Sequence, residues 1–423
     1  MLIEFSVENH RAFRERQTFS MVASAAAERT GLGRVAQTHF TTAPFILREA
    51  CLFGANGSGK SSLIDAMNFM RRFVRNSFRH EPGQPIAVEP FAFHSEWRSR
   101  PSEFEAIFIH DDVLYQYGFS VTCERVLEEW LFARPQATGR DRQLFTRTYV
   151  SETNGYEWSL NSAHLKGERE SWKSQTRPEA LFLSTAVQLN AEVLKGAYEW
   201  LSKRFRMFSM SPDVMQGSYT ESRFEDAEWK DQVVDFLRRA DVSLHGIEVE
   251  ENRLFEQPSF AKLPAHFQEM IKEEAPDAKT FAVSFVRQDE KANPIPLPLS
   301  EESSGTKALF ELAGPILDVL ENGYTVIIDE LNSGLHPLAF QYVIGLFCDP
   351  QTNRNNAQLI FTTHDTSVTE RSCIGRDQIW LVEKGSDLSA RLIPFSDFKT
   401  RDERPFQKGY LQGRFGAVPR IVS

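Results

Sequence analysis

Residues 54 to 61 read G-A-N-G-S-G-K-S, and these residue types at this spacing suit the binding of a row of phosphate groups. Glycine allows the tight turn that points backbone N–H groups inward, while a helix beginning near Lys60 directs its positive end to the same place. Lys60 is expected to contact the β and γ phosphates, and the Ser61 hydroxyl to hold Mg²⁺. The other residues predicted to contact the nucleotide here are Gly54, Asn56, Gly57, Ser58, Gly59 and Ser62.

Two elements must hold this loop, and the flanking sequence predicts both. The apolar run from Ala50 to Phe53 is typical of a buried strand, and Leu63, Met67 and Met70 follow at helical spacing. Strand, loop and helix therefore occur in the required order, which a glycine-rich turn matching by chance would lack.

A second group of candidate residues follows two apolar strands near the C-terminus. The stretch YTVIIDE, residues 324 to 330, ends in two carboxylates. Asp329 is predicted to orient Mg²⁺ through water, and Glu330 to polarise the water that attacks the γ phosphate. Adjacent acids at a strand end are commonly only solvated charges, but the phosphate loop elsewhere in the chain favours catalysis. The next strand runs into His364, which is predicted to contact the γ phosphate or the attacking water; the alternative is an ordinary surface or core histidine.

The segment ESSGTK lies just before a helix with Leu309, Leu312 and Ile316 on one face. Serine and glycine at this position form a natural N-cap. The functional alternative is a second phosphate-binding helix end formed by Ser304 and Gly305, with Lys307 adding charge. Since one site cannot easily use two such ends from one chain, this alternative predicts a dimer with the nucleotide between protomers.

The composition bounds the class of protein. Hydrophobic residues make up 41% and charged residues 25%, as in ordinary soluble domains, and no apolar run reaches membrane-span length. We therefore expect a cytoplasmic protein without a membrane partner. The net charge of −10 disfavours a wholly basic nucleic-acid binder but allows a local patch. The cysteines, which are expected to be reduced and mostly buried because no C-x-x-C pair occurs, are Cys51, Cys123, Cys348 and Cys373.

Alternation of apolar residues predicts a β-rich N-terminal part that starts with a hairpin, whereas helical spacing dominates after Pro178. Residues 24–45 are predicted to form a loop, and residues 251–278, interrupted by Pro258 and Pro264, a surface excursion.

Three segments are predicted from these changes of pattern. They are an N-terminal lobe with the phosphate loop and a β subdomain (1–177), a helical or mixed insertion (178–298), and a C-terminal lobe with both carboxylates and His364 (299–423).

The order of GANGSGKSS, ESSGTK, VIIDEL, LHP and TTHD resembles the ABC-ATPase heads of the SMC, RecF and OLD type. More closely, it resembles the single-chain ATPases of bacterial phage-defence operons, the RloA-like and AriA-like proteins. The start VENHRAF is similar to the N-F-R-x-F opening of that group, with His10 where Phe is usual, and YLQGRFGAVP is similar to its C-terminal signature. The resemblance implies an α/β P-loop fold with a mixed sheet, an antiparallel β subdomain and an inserted, mainly helical lobe.

The resemblance also implies ATP and Mg²⁺ as cofactors and a homodimer or higher homo-oligomer. Lys60, Glu330 and His364 match the catalytic positions, while Ser304 and Gly305 match the signature contact made across the dimer. The loop NSGLHP, with Asn332 and His336, matches the segment that joins the two sites, although many relatives have Asp in place of Asn332. Gln84 and Gln116 are both candidates for the metal-sensing glutamine.

Two functional classes remain open. In the first, the protein is an ATPase sensor and scaffold in phage defence that controls an effector encoded nearby, typically a nuclease. In the second, it is a repair ATPase of the RecF or SMC type that acts directly on DNA. Arginine-rich stretches with interleaved aromatic residues, MRRFVRNSFRH (70–80) and WLSKRFRMF (200–208), are candidate nucleic-acid contacts, or merely solvated helix faces. The interval between Ser61 and Glu301 lacks heptads, so a compact insertion is expected in place of a coiled-coil arm.

Overall fold

The computed structural model describes residues 1–24, 33–210, 219–253, 260, 264–274, 279–369, 374–398 and 406–419. It divides into two compact units. The larger unit comprises Met1–Ser209, Asn322–Leu331 and Ile344–Ser423, and the smaller one Met210–Glu321 and Asn332–Val343. The three-segment division at 177/178 and 298/299 stays a prediction.

The strands, in chain order, are β1 (Leu2–Glu8), β2 (Gln17–Ser20), β3 (Val35–Gln37), β4 (Phe45–Leu47), β5 (Glu49–Phe53), β6 (Ser102–His110), β7 (Val113–Val121), β8 (Val126–Pro135), β9 (Arg142–Val150), β10 (Gly155–Leu160), β11 (Phe205–Ser209), β12 (Gly246–Arg253), β13 (Lys279–Gln288), β14 (Pro294–Pro298), β15 (Thr325–Asp329), β16 (Gln358–Thr362), β17 (Ile379–Lys384) and β18 (Ala390–Pro394). The α-helices are α1 (Lys60–Asn76), α2 (Ser95–Arg98), α3 (Arg169–Gln175), α4 (Phe182–Gln188), α5 (Glu192–Glu199), α6 (Ala227–Arg239), α7 (Ala265–Glu274), α8 (Ser304–Asn322), α9 (Pro337–Cys348) and α10 (Phe406–Leu411).

The larger unit contains an antiparallel sheet of order β10-β9-β8-β7-β6-β1-β2. Its strands alternate apolar and polar residues because one face is buried. The predicted N-terminal hairpin is confirmed, since Phe5 pairs with Phe19. The strands β6 and β7 form another hairpin around Asp111 and Asp112, and both residues have positive φ, as a tight turn between twisted strands requires.

The second sheet of the larger unit is mixed, with the order β11-β15-β16-β5-β17-β18. The strands β11, β15, β16, β5 and β17 are parallel, and only the edge strand β18 is antiparallel. Residues of β5 and β16 are buried throughout, which accounts for their unbroken apolar runs. The helix α1 buries Leu63, Met67 and Met70, as their spacing predicted. Since parallel strands end at one edge, the residues after β5, β15 and β16 share that edge.

One prediction about a loop is wrong in part. Within residues 24–45, β3 pairs with β4, so Ala36 and Ile46 lie side by side; residues 25–32 lie outside the described residues. Three-residue strands give too short a pattern to be recognised from sequence. In the stretch 251–278, β12 continues to Arg253 and α7 occupies Ala265–Glu274, while Pro258 lies outside the described residues.

The smaller unit contains the antiparallel sheet β12-β13-β14 and the helices α6, α7 and most of α8. The predicted helical pattern of residues 226–240 is confirmed by α6, whose N-cap Asp226 accepts hydrogen bonds from the backbone N–H groups of Glu228 (3.0 Å) and Trp229 (3.4 Å). On α8, Leu309, Leu312 and Ile316 are buried, as predicted. Of the helices described, none has the length and apolar character that a membrane span needs.

Cys51 and Cys348 are buried and Cys123 is exposed, whereas Cys373 lies outside the described residues. The Cys348 thiol donates to the Glu49 carboxylate at 3.0 Å.

Candidate functional site

The predicted phosphate loop lies between β5 and α1 in the larger unit. Gly57 (φ 72°) and Gly59 (φ 115°) adopt the left-handed conformation that only glycine enters without strain. A Cβ on Gly59 would stand 2.7 Å from the Ala390 Cβ, and one on Gly54 would stand 2.6 Å from the Val382 carbonyl oxygen. The backbone therefore approaches the β17–β18 hairpin more closely than any larger residue permits.

Lys60 is the first residue of α1 and is only 6% exposed. Its Nζ donates to the carbonyl oxygens of Gly54 (2.8 Å) and Ala55 (3.1 Å). Burial lowers the pKa of Lys60, and the charges of Asp329 and Glu330 act in the opposite direction. The ammonium thus lies within the field of both predicted carboxylates.

The loop has further features that fit a bound anion. Ser58 is 3% exposed, and its Oγ is a buried atom with no hydrogen-bond partner among the described residues. Ser61 is exposed and Ser62 half-buried at the first turn of α1, where backbone N–H groups have no intrahelical acceptor. A buried cation, an unpaired hydroxyl and free N–H groups form the donor set that phosphate oxygens require.

The two predicted carboxylates lie where β15 ends. Asp329 is the last residue of the strand, and Glu330, with φ 53°, turns the chain away from it. The Thr362 hydroxyl at the end of β16 donates to Asp329 Oδ1 (2.5 Å) and accepts from the Glu330 backbone N–H (2.7 Å). One hydroxyl therefore fixes the positions of both acidic residues.

His364 follows β16 by two residues, and its side chain is exposed. Partial desolvation and the nearby Lys60 lower the pKa of His364, whereas Glu330 and Asp329 act to raise it. The structure thus brings Lys60, Asp329, Glu330 and His364 together from three neighbouring strand ends. Crevices beyond the carboxyl ends of parallel strands are the usual ligand sites of such sheets.

The segment ESSGTK belongs to the smaller unit and has a different local structure. Ser303 Oγ accepts a hydrogen bond from the Thr306 backbone N–H at 3.2 Å, so the N-cap interpretation holds for Ser303. Ser304 is exposed and Gly305 half-buried at the start of α8, and Lys307 Nζ donates to the Ser300 carbonyl at 2.6 Å. The predicted contact of Ser304, Gly305 and Lys307 with a phosphate stays a prediction.

The loop NSGLHP also lies in the smaller unit, behind Gly305. A Cβ on Gly305 would stand 3.0 Å from the Gly334 carbonyl oxygen, which leaves little room for a side chain. His336 is exposed, and its Nδ1 accepts from the Leu338 backbone N–H at 3.2 Å.

Sequence reasoning missed Thr362 as a residue that positions the carboxylates, although the motif TTHD contained it. It also left the metal-sensing glutamine open. Gln116 lies on β7 and donates to Glu105 at 2.8 Å, whereas the side-chain carbonyl of Gln84 accepts from the Glu81 backbone N–H at 3.0 Å. Each glutamine thus has a hydrogen-bond partner outside the group formed by Lys60 and the two carboxylates.

The substitution of His for the usual Phe at position 10 has a local explanation. His10 is 1% exposed and packs as an aromatic ring against Phe104 (5.2 Å between ring centroids) and Phe69 (5.9 Å). Its Nε2 also lies 3.0 Å from the Asp65 carboxylate on α1. The imidazole therefore fills the space of a phenyl ring and adds a polar contact to the phosphate-loop helix.

Solved structures that are similar to this chain at low identity include the following two. One is the SMC head bound to the C-winged helix domain of ScpA, at 12% identity over 93% of this chain and 96% of that chain, with a TM-score of 0.42. The other is cbiO1 from Clostridium perfringens, part of the ABC transporter complex cbiONQ, at 17% identity over 47% of this chain and 59% of that chain, with a TM-score of 0.24. No curated protein matches the sequence.

A family model matches residues 50–370, a range that includes the phosphate loop, both carboxylates and His364. The mixed α/β sheet, with the loop between a buried parallel strand and a helix, agrees with this match. The protein belongs to the family described as "AAA domain, putative AbiEii toxin, Type IV TA system".

Proposed function

We propose that the protein binds and hydrolyses ATP at the edge of its mixed sheet. The observation that carries this proposal is the convergence of Lys60, Asp329, Glu330 and His364 from the ends of three parallel strands. A buried lysine beside a phosphate-binding loop, with two carboxylates and an imidazole in its field, is the donor and base set that phosphoryl transfer to water uses.

Each residue has a role that its surroundings support. Lys60, already surrounded by carbonyl oxygens, exchanges them for phosphate oxygens. Ser61 offers an oxygen ligand that would hold Mg²⁺, and Asp329 would orient the ion through water; the ion when bound supplies positive charge to the phosphates. Glu330 takes a proton from the attacking water, and Thr362 keeps its backbone in place for that task.

Hydrolysis, in this proposal, takes place in a homodimer. Ser304 and Gly305 of one protomer, at the exposed start of a 19-residue helix, contact the γ phosphate held by the loop of the other. Asn332 and His336, which lie on the loop behind Gly305, then connect the two sites.

Measuring ATP turnover by the Glu330→Gln variant tests the proposed role of Glu330 as the base. The amide cannot accept the proton, so we expect hydrolysis to fall by roughly 10² or more while ATP affinity is retained. Phosphate release and nucleotide affinity are measured for the variant, for the wild type and for Glu192→Gln, an exposed glutamate on α5 that serves as the matched control. Wild-type turnover in Glu330→Gln removes Glu330 from the mechanism.

We further propose that this ATPase acts as a sensor and scaffold in bacterial anti-phage defence and restrains an effector protein. The resemblance of its motifs to those of phage-defence ATPases implies that this effector is a nuclease. The family description, which names a toxin and a type IV toxin–antitoxin system, supports a role in such conflict systems. Growth of cells that express the chain with its adjacent gene, with and without Lys60→Ala, tests the idea. Toxicity that depends on both genes and on Lys60 is expected, and a neighbouring recombination operon without toxicity contradicts it.

A second candidate function, direct action on DNA, is favoured by an arginine cluster in the larger unit. It consists of Arg71, Arg72 and Arg75 on α1 and Arg206 on β11. Burial lowers the pKa of Arg71, and the charges that lower it further all belong to the other three arginines. Within the part of the chain that the structure describes, the buried Nε atoms of Arg71 and Arg206 have no hydrogen-bond partner, and the Arg206 guanidinium lies 5.1 Å from the centre of the Tyr324 ring. Uncompensated guanidinium groups beside an aromatic ring suit a nucleic-acid backbone.

Binding to a labelled DNA duplex over a salt series tests this function. If the cluster contacts phosphates, the variant with Arg71, Arg75 and Arg206 replaced by Ala should bind more weakly, with a salt slope shallower by about three. The control variant replaces three exposed cations elsewhere in the larger unit, Arg140, Lys166 and Lys195. Absence of binding by the wild type at low salt excludes the DNA-repair function.

A further inference from the structure

An ion pair of the smaller unit lies directly before the start of α8 and has no part in the roles proposed above. The Arg287 guanidinium, on β13, donates through Nη2 to both carboxylate oxygens of Glu302, at 2.8 and 2.9 Å. The Glu302 side chain is only 5% exposed, whereas the Arg287 side chain is 41% exposed. Loss of the arginine would therefore leave a buried carboxylate without a compensating charge.

The strand that carries Arg287 also packs against α8. Phe285 and Arg287 lie on the same face of β13, because side chains two residues apart on a strand point the same way. The Phe285 ring meets Phe310 of α8 edge to face, with 5.6 Å between the ring centroids, and the two residues are 0% and 1% exposed. This apolar contact fixes β13 on the helix, so the backbone of Arg287 has a defined position from which its side chain draws Glu302 onto the strand.

The position of the Glu302 carboxylate matters because Glu302 lies two residues before Ser304, the first residue of α8. The first N–H groups of a helix have no intrahelical acceptor, and with the helix dipole they attract a nearby anion. The Ser303 side chain accepts from only one of them, that of Thr306. A carboxylate released from β13 would compete with a phosphate for the others and would repel it by its like charge.

We propose that Arg287 is a positioning residue for ATP hydrolysis. It holds the Glu302 carboxylate on β13 and neutralises its charge, and it thereby keeps Ser304 and Gly305 available to the γ phosphate. Arg287 acts through Glu302 and does not contact the nucleotide. The sheet β12-β13-β14 thus takes part in the reaction, because it carries this arginine. The inference rests on the proposed contact between α8 and the nucleotide that a second protomer binds.

Steady-state ATP turnover of the full chain, measured together with ATP affinity by calorimetry, tests this role. Arg287→Gln removes the positive charge but keeps a hydrogen-bond donor for Glu302. Its kcat should fall about tenfold or more, while ATP affinity, which depends on the loop in the larger unit, stays within about twofold. Arg287→Lys keeps the charge and should retain at least about a third of the wild-type kcat. The double variant Arg287→Gln/Glu302→Gln carries neither charge, so its kcat should return to within about threefold of the wild type.

Variants of Glu302 break the ion pair from its other side, so the test does not depend on the folding of Arg287→Gln. Glu302→Asp keeps the negative charge on a side chain one methylene shorter, which draws it away from Arg287, and kcat should fall. Glu302→Gln removes the charge and should hydrolyse ATP like the wild type. If the pair served only to hold the chain in place, both changes would weaken it and kcat would fall in both variants.

A second arginine pair on α8 provides the matched control. Arg223 Nη1 lies 3.2 Å from Glu321 Oε2, near the other end of the helix and about 25 Å from Ser304 at 1.5 Å per residue. Thermal unfolding measures the stability of every variant. Arg223→Gln should leave kcat unchanged whatever its effect on the unfolding midpoint.

Two results overturn the role of Arg287. One is wild-type kcat in both Arg287→Gln and Glu302→Asp. The other is a loss in Arg287→Gln that Glu302→Gln does not reverse, which would mean that Arg287 acts directly and not through Glu302. In either case the ATPase proposal stands if the wild type hydrolyses ATP and Glu330→Gln does not. If the wild type does not hydrolyse ATP, the proposed function fails and this inference fails with it.

Discussion

Two helix N-termini in this protein have similar sequences and different surroundings. The helix α1 begins at the end of G-S-G-K-S and α8 at S-S-G-T-K, and each has a lysine that donates back to the preceding loop. Lys60 is 6% exposed and lies in the field of Asp329 and Glu330. Lys307 is half-buried, and its Nζ contacts the Ser300 carbonyl.

This difference shows that a helix N-terminus with a favourable dipole does not by itself form a phosphate-binding site. Both ends offer N–H groups and a positive dipole, but only the first is enclosed by buried groups and joined by a base. The second has a capping serine and an open surface, so a further chain must supply the anion for it to act. In our proposal the first end provides affinity and the second provides the signal that two protomers have met.

The largest expected effect is a loss of ATP affinity, and it separates Lys60 from Lys307. Lys60→Ala should reduce ATP affinity by roughly 10² or more, because a buried, charge-assisted contact with phosphate is lost. Lys307→Ala should change affinity by less than about twofold in dilute, monomeric protein, since Lys307 contacts phosphate only across a dimer. Calorimetry on both variants makes the comparison, and equal losses would show that the two helix ends do not differ in this way.

The next largest effect tests whether the N-terminus of α8 in one protomer contacts the nucleotide that the other protomer binds. Gly305→Asp places a carboxylate where the γ phosphate is expected and repels it, so this variant and Lys60→Ala should each be inactive alone. A mixture restores one intact composite site in each mixed dimer, so part of the wild-type turnover should return. Mixed dimers are verified by differently tagged protomers.

Two results would contradict the proposal that each ATP site is formed by two protomers. One is mixed dimers that form but do not hydrolyse ATP. The other is normal hydrolysis by Gly305→Asp alone, which would mean that the loop works within one chain. Gly334→Asp is a poor control because Gly334 has φ 73° and lies behind Gly305, whereas Gly345→Asp on α9, where an added Cβ meets no atom within 4 Å, is well suited.

Residue patterns predicted the parts of the site that depend on local sequence. Buried parallel strands are continuous apolar runs, so β5, β15 and β16 were recognisable, and their parallel pairing brings the residues that follow them to one edge of the sheet. Hydrogen bonds between residues of neighbouring strands were not predictable from the sequence. Thr362 acts on Asp329 and Glu330 through a register that only the folded sheet sets. Likewise, YLQGRFGAVP was recognisable as a motif, but its position against Phe53 and the loop depends on long-range packing.

A smaller effect is expected from Thr362→Val, which keeps the shape and removes the hydroxyl. The Asp329 carboxylate and the Glu330 backbone N–H then lose their shared partner, so turnover should fall about tenfold with little change in ATP affinity. Steady-state kinetics and calorimetry separate the two quantities. A large loss of affinity with unchanged turnover would place Thr362 in binding and not in positioning.

The smallest expected effect concerns the pH dependence of turnover, through His364 beside the phosphate loop. Desolvation and Lys60 lower the pKa of His364 below its ordinary 6.5, against the opposing influence of Glu330 and Asp329. The midpoint of protonation of this imidazole therefore lies below pH 6.5. If the neutral ring contacts the γ phosphate or the attacking water, turnover should decline on acidification with a midpoint below pH 6.5. The unfolded chain binds the proton first, so the free energy of unfolding also falls with pH below 6.5. Turnover against pH for the wild type and for His364→Gln measures this, because glutamine keeps a hydrogen-bonding side chain and cannot titrate. A decline centred above 6.5, or an identical acidic limb in His364→Gln, assigns the pH dependence to another group.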